Sequence, residues 1–187
     1  MIATILYLGV IIAGILITVF LLLLSVEVGV GLFFGKAPEV PSSTKLRNAV
    51  VSEIRARYPD AKTVIDIGSG WGGMTRRIAC EFSGASVTGI ELMPLSFGCS
   101  ALAKLFAGPA NAKFVIGDAI KFIKNSDGFD VGVCYCGTAL MKDIPSLSDK
   151  FKLIISLDFP IPNVRPIKII KLHNDGLGQH VMYVYKN

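Results

Sequence analysis

Ten residues constrain the fold of this chain more than any others: VIDIGSGWGG, residues 64–73. Val64, Ile65, Asp66 and Ile67 form a short, mainly apolar run that reads as a buried strand. It passes directly into a glycine turn, Gly68-Ser69-Gly70, and then into a helix. Glycine lets the backbone turn tightly there and approach a ligand closely, because no Cβ intervenes. A strand that feeds a helix through such a turn belongs to a parallel sheet, which binds ligands at the carboxyl ends of its strands.

The rest of the chain repeats that alternation. Apolar runs predict strands at 63–67, 86–91, 113–117, 129–134 and 153–158, with helices at 74–82, 94–106, 120–125 and 139–149 between them. Pro94 suits a first helical turn, and Gly108-Pro109 is a stop. Two last strands, 167–173 and 181–185, are joined by Asp175-Gly176-Leu177-Gly178 without a helix, which implies an antiparallel pair. The expected fold is α/β: a Rossmann-like, seven-stranded, mostly parallel sheet with a terminal antiparallel hairpin. One N-terminal transmembrane helix precedes it.

That helix is read from residues 2–26, which contain no charged side chain; Glu27 is the only one before Lys36. At about 1.5 Å per residue this segment reaches ~37 Å, enough to cross a hydrocarbon core of ~30 Å with some tilt. A cleavable signal peptide would need a basic start, a shorter apolar core and a small-residue cleavage site, and none is evident. Glu27 falls at headgroup level, because residues 2–24 already complete a span. All 19 Lys and Arg residues lie at or after Lys36, so the positive-inside rule puts the remainder on the cytoplasmic side. The expected organisation is an anchor over 1–35, a Pro/Gly/Ser-rich linker and first helix over 36–61, and the α/β domain over 62–187. In the first helix, Ser42 to Thr44 offer N-caps, and Leu46, Val50 and Ile54 stand at helical spacing.

Beyond the anchor the formal charge is +6, which attracts the domain to anionic lipid. No dense basic run with interleaved aromatics marks a nucleic-acid surface. Cys80, Cys99, Cys134 and Cys136 lack metal-site spacing, and no metal site is readable from them or from His173 and His180. Cys134 and Cys136 read as reduced thiols sharing one strand face.

Taken literally, Gly68-x-Gly70-x-x-Gly73 is a dinucleotide fingerprint. Asp66 argues against a pyrophosphate at the turn, and the chain lacks the second mononucleotide half that a nicotinamide needs. The acids suit S-adenosylmethionine instead. Gly68, Ser69 and Gly70 would face its methionine portion, Asp66 its ammonium, and Glu91 both ribose hydroxyls. Asp118 would meet the adenine amino group, with Leu92, Met93 and Ala119 nearby as apolar walls. Asp118 equally suits the N-cap of the following helix, and Glu91 could be a solvated strand end. Trp71 either lines the pocket or packs beneath the turn.

Through VIDIGSGWGG, GIEL and VIGDA the chain resembles the class I, seven-strand methyltransferases. More closely, it resembles membrane-anchored protein-lysine methyltransferases related to the mitochondrial enzymes acting on the ATP synthase c-subunit and the adenine nucleotide translocase. The shared pieces are the apolar N-terminus, Pro41-Ser42, Asp66-x-Gly68-Ser69-Gly70, Glu91-Leu92-x-Pro94 and Phe159-Pro160-x-Pro162. Trp71-Gly72-Gly73 stands where that family has Asp-Gly-Arg, Met93 replaces an Asn, and CYCGTALM after the fourth strand matches loosely.

The resemblance implies methyl transfer to a lysine of a membrane-associated protein. Tyr135, Thr138, Asp158 and Phe159 follow the fourth and fifth strands, beside the expected methyl position; Tyr135, Asp158 and Phe159 are the catalytic candidates. Tyr135 also reads as a core aromatic, and Asp158 as the partner of a basic neighbour. CYCGT lacks the NPPY-type signature of base and glutamine methyltransferases, so a nucleic-acid base is disfavoured. A lipid or small-molecule acceptor, and a non-catalytic ligand-binding or scaffold protein, are the competing readings.

Overall fold

The computed structural model describes residues 2–33, 41–172 and 178–186. The chain divides into two units, 1–36 and 37–187. In the first, helix α1 (Ile2–Phe33) contains an apolar stretch, Ala3–Gly29, long enough to cross a membrane. The linker expected after the anchor is described only from Pro41 onward.

The second unit opens with α2 (Thr44–Arg57), whose N-cap is Ser43: its hydroxyl accepts the Leu46 N–H at 3.2 Å. There follow β1 (Thr63–Ile67), α3 (Gly73–Glu81), β2 (Ser86–Glu91), α4 (Pro94–Ala107), β3 (Ala112–Ile116), α5 (Ala119–Lys124) and β4 (Phe129–Cys134). The chain ends with α6 (Thr138–Met141), a 3-10 helix (Ile144–Lys150), β5 (Phe151–Leu157), β6 (Lys168–Lys171) and β7 (Val181–Lys186). The sheet order is β3-β2-β1-β4-β5-β7-β6. The first five strands are parallel, and β7 runs antiparallel to both β5 and β6.

The single helix expected at 139–149 is not formed. Pro145 has no N–H to donate and its ring clashes with the carbonyl four residues back, at Met141. The segment therefore breaks into the short α6 and a 3-10 helix that starts beside Pro145. The strand expected at 153–158 starts earlier, at Phe151, and stops at Leu157, because Asp158 takes a left-handed φ of 63°. The penultimate strand is shorter than 167–173; His173 and most of the connecting turn lie outside the described residues.

Alternation along the strands gives the sheet two buried faces. Val64 of β1 joins Leu46, Val50 and Ile54 of α2 and Ile78 of α3 in one core. Ile65 and Ile67 join Ile123, Ile144, Leu147 and Tyr185 in the other. Burial on both faces explains why the strands read as continuous apolar runs. At the amino end of the sheet, the Asp130 carboxylate accepts the Lys62 and Thr63 N–H groups and pairs with Lys152 at 2.7 Å. Strand order reverses between β1 and β4, so a crevice is expected at their carboxyl ends.

Candidate functional site

Asp66, the fourth residue of β1, alternates with Ile65 and Ile67 and so shares the face of Val64, towards α3. It is 2% exposed, and its Oδ2 accepts the Thr75 hydroxyl at 2.6 Å. Burial pushes its carboxyl up to about 6; the Thr75 hydrogen bonds oppose that rise and the Glu91 charge adds to it.

Beyond Asp66 the chain turns through Gly68, Gly70 and Gly72, with φ of 72°, 51° and 72°. A side chain is strained at these values, and at Gly72 a Cβ would also fall 2.6 Å from the Phe114 ring. The Gly68 and Ser69 N–H groups donate to the Ile90 carbonyl, fastening the turn to the end of β2. Ser69 Oγ is buried and, among the described residues, has no hydrogen-bond partner. Such a group costs stability unless something satisfies it.

Glu91 closes β2 and is 4% exposed. It is no solvated strand end. Its Oε2 accepts the Gly70 N–H and its Oε1 the Met93 N–H, both at 2.8 Å. Each carboxylate oxygen has a second lone-pair site, so a diol can still be accepted. Leu92 is half-buried and Met93 buried beside it.

Asp118 follows β3 and caps α5: Oδ1 accepts the Ile120 N–H at 2.9 Å and the Lys121 N–H at 3.3 Å. Its exposed carboxylate and the buried Ala119 stand one strand along from Glu91, where Gly117 N–H donates to the Glu91 carbonyl at 2.9 Å. Trp71 is 54% exposed, so it does not pack beneath the turn. All eight residues expected to hold the cofactor thus belong to, or directly follow, the carboxyl ends of β1, β2 and β3.

The catalytic candidates divide. Asp158 Oδ2 lies 2.8 Å from His180 Nδ1, and its Oδ1 accepts the Val181 N–H at 2.9 Å. Tyr135 meets the His180 ring edge-on, with centroids 6.1 Å apart. His180 therefore joins Tyr135 to Asp158. Phe159 does not join them: its side chain packs against the opposite core, and its carbonyl accepts the Ser156 hydroxyl. Cys134, the last residue of β4, is buried beside Ile67 of β1, its thiol pushed well up by a hydrogen bond with Cys136 and by burial.

The pairings of Thr75 with Asp66 and of His180 with Asp158 escaped the sequence reading. Each joins residues distant in sequence, nine and 22 apart, and no local motif marks either pairing.

No family model and no curated protein sequence matches the chain. Its fold is similar to that of solved structures. One is an RNA methyltransferase from Salinibacter ruber in complex with S-adenosyl-L-homocysteine, 21% identical at a TM-score of 0.58, covering 79% of this chain and 93% of that one. A precorrin-6y C5,15-methyltransferase from Geobacter metallireducens gives a TM-score of 0.62 at 14% identity, covering 81% and 93%. A precorrin 8w decarboxylase from Methanobacterium thermoautotrophicum gives 0.58 at 20% identity, covering 81% and 95%. The chain has the Rossmann-like methyltransferase fold.

Proposed function

We propose that this chain is a membrane-anchored, S-adenosylmethionine-dependent methyltransferase whose acceptor is a lysine of a membrane-associated protein. The observation that carries the cofactor is the pair of buried carboxylates, Asp66 and Glu91, flanking a turn of left-handed glycines. The residues fit that group. The orphaned Ser69 hydroxyl offers a hydrogen bond to the amino-acid end, and Asp66 offers the ammonium a countercharge. Glu91, held by two backbone N–H groups, presents its remaining lone pairs to a diol. The S-adenosyl-L-homocysteine held by the Salinibacter ruber protein supports the same choice.

When bound, the cofactor supplies a methyl group on a sulfonium, already activated for displacement. This chain's own residues then position the two partners, which contributes roughly 7–11 kcal/mol in favourable cases. A lysine acceptor, with a pKa of about 10.4 in water, must shed a proton before it can attack. An apolar slot lowers that value, and a carboxylate can orient the amine. Tyr135 and Asp158, which His180 contacts in common, would serve those tasks, and their shared partner supports that reading. Ala3–Gly29 supports the membrane assignment, and it would raise the local concentration of membrane-bound acceptors.

A small-molecule or lipid acceptor is the second reading, favoured by the likeness in fold to the precorrin methyltransferase. The test is transfer of labelled methyl groups into native membranes by the full chain, with Glu91→Ala as control. Label in protein lysine, absent from the control, is the expected result. Label confined to lipid or small molecules would overturn the lysine assignment. Failure of S-adenosylmethionine to bind in calorimetry would overturn the enzyme assignment.

A further inference from the structure

Helix α4 shows its apolar side to solvent. Its buried residues are Ser96 and Ser100, while Leu102, Leu105 and Phe106 are 56%, 79% and 80% exposed. At 3.6 residues per turn these three cluster on the side opposite the two serines. No charged residue interrupts that face; Lys104, the only charge in the helix, stands on the serine side in the last turn. Edge strand β3 adds Ile116, 49% exposed. Trp71 belongs to the same edge, because its neighbour Gly72 lies against Ser100 of α4 and Phe114 of β3. A surface helix ordinarily turns such residues inward, and a contiguous apolar patch marks an interaction surface.

We propose that the outer face of α4 is a lipid-contacting surface, lying at the headgroup–acyl boundary of the bilayer that holds Ala3–Gly29. This rests on reading that stretch as a membrane span. Between Phe33 and Thr44 the chain is about ten residues long and extends at most ~35 Å. The domain therefore stays within roughly its own diameter of the bilayer. Held there, it gains most by turning towards lipid the face that water solvates worst. The side chains suit that boundary: Leu and Phe for the acyl region, and Trp71 for the interface itself. The domain's net positive charge adds attraction to anionic lipid. Because α4 starts three residues after Glu91, docking it brings the carboxyl end of β2 close to the membrane surface.

The test uses the full chain in vesicles of phosphatidylcholine and phosphatidylglycerol, with or without mid-chain brominated lipid. The single tryptophan is relocated by Trp71→Phe with Leu105→Trp, or, as a control, by Trp71→Phe with Lys142→Trp. Brominated lipid should quench the Leu105→Trp reporter about twofold more than the control, as an interfacial residue requires. Adding Phe106→Glu, or separately Leu102→Glu, should reduce that difference. A chain that fails to float with the vesicles would overturn both the anchor and this inference. A floating chain whose two reporters quench equally would overturn the inference alone. So would cross-linking between copies at α4 with no quenching, which would assign the face to a second protomer.

Discussion

Asp66 should make the unliganded protein less stable at neutral pH than in mild acid, and the cofactor should reverse the penalty. Its carboxyl ionises at about 6 in the folded protein, against 3.8 for an unperturbed group. A folded value above the unfolded one means that the native state holds the proton more tightly. The associated stability is fully present below about pH 4, falls as pH rises through 6, and is level beyond it. The difference between the two values corresponds to about 3 kcal/mol. Asp66→Asn keeps an oxygen to accept the Thr75 hydroxyl but carries no charge to bury. Urea denaturation should therefore find the variant equal to the parent near pH 4 and up to about 3 kcal/mol more stable at pH 8. An ammonium placed beside Asp66 favours its ionised form. S-adenosylmethionine should accordingly bind the parent more tightly as pH rises through 6 and release a proton, which calorimetry in two buffers detects. The variant should bind weakly with no such dependence. Parallel stability profiles for the two proteins across this range would refute the reasoning.

Four further substitutions test the scaffold. Glu91→Gln leaves one oxygen for two backbone N–H groups, so stability should fall by about 1–3 kcal/mol and cofactor affinity should fall in calorimetry. Gly72→Ala places a methyl group 2.6 Å from the Phe114 ring at a φ of 72°, and should lower stability by about 2–5 kcal/mol in denaturant titration. Gly98→Ala, in α4 with nothing within 4 Å of the added carbon, should instead raise it by about 0.5–1 kcal/mol. At Asp130 burial pushes the carboxyl up, but Lys152 and the Lys62 and Thr63 N–H groups outweigh it and hold the group below 3.8. That stability is present above the unfolded value and is lost as pH falls through the folded one. Asp130→Asn should therefore flatten the acid limb of the unfolding curve, the opposite sign to Asp66→Asn.

Legibility in the sequence followed the range of the interaction that decides each feature. β1, β2 and β4 have the bounds expected of them, because a short apolar run is a local signal, sharpened in β1 by the Gly68 that follows and in β2 by Glu91 at its end. Asp118 was readable as a cap for the same reason, its acceptor and donors lying within three residues. The break at Pro145 was equally local, yet the helical spacing of apolar residues around it masked the missing N–H. The inverted face of α4 was not readable: Leu102, Leu105 and Phe106 have the spacing of a buried stripe, and only the packing of Ser96 and Ser100 shows which side turned inward. Phe159, in a proline motif beside Asp158, looked like a site residue, but the left-handed turn at Asp158 carries it to the other core.

The glycines shape the turn without choosing its ligand, since the same backbone would cradle a pyrophosphate. The choice belongs to what the sheet buries beside them. Burial raises Asp66 and the Glu91 charge adds to the rise, and a diphosphate would add charge of the same sign to a place already short of solvent. Under the proposed function, an ammonium and a diol would do the reverse: one would neutralise Asp66, the other would donate to a carboxylate that the Gly70 and Met93 N–H groups hold. On that same proposal, the instability at Asp66 and the orphaned hydroxyl of Ser69 would be two halves of one preparation, both relieved by a zwitterionic amino-acid end. Ser69→Ala makes the two halves separable. Removing an unsatisfied hydroxyl should leave the unliganded protein as stable or stabler, while binding of S-adenosylmethionine weakens. Loss of stability without loss of affinity would mean that the hydroxyl serves the turn rather than the ligand.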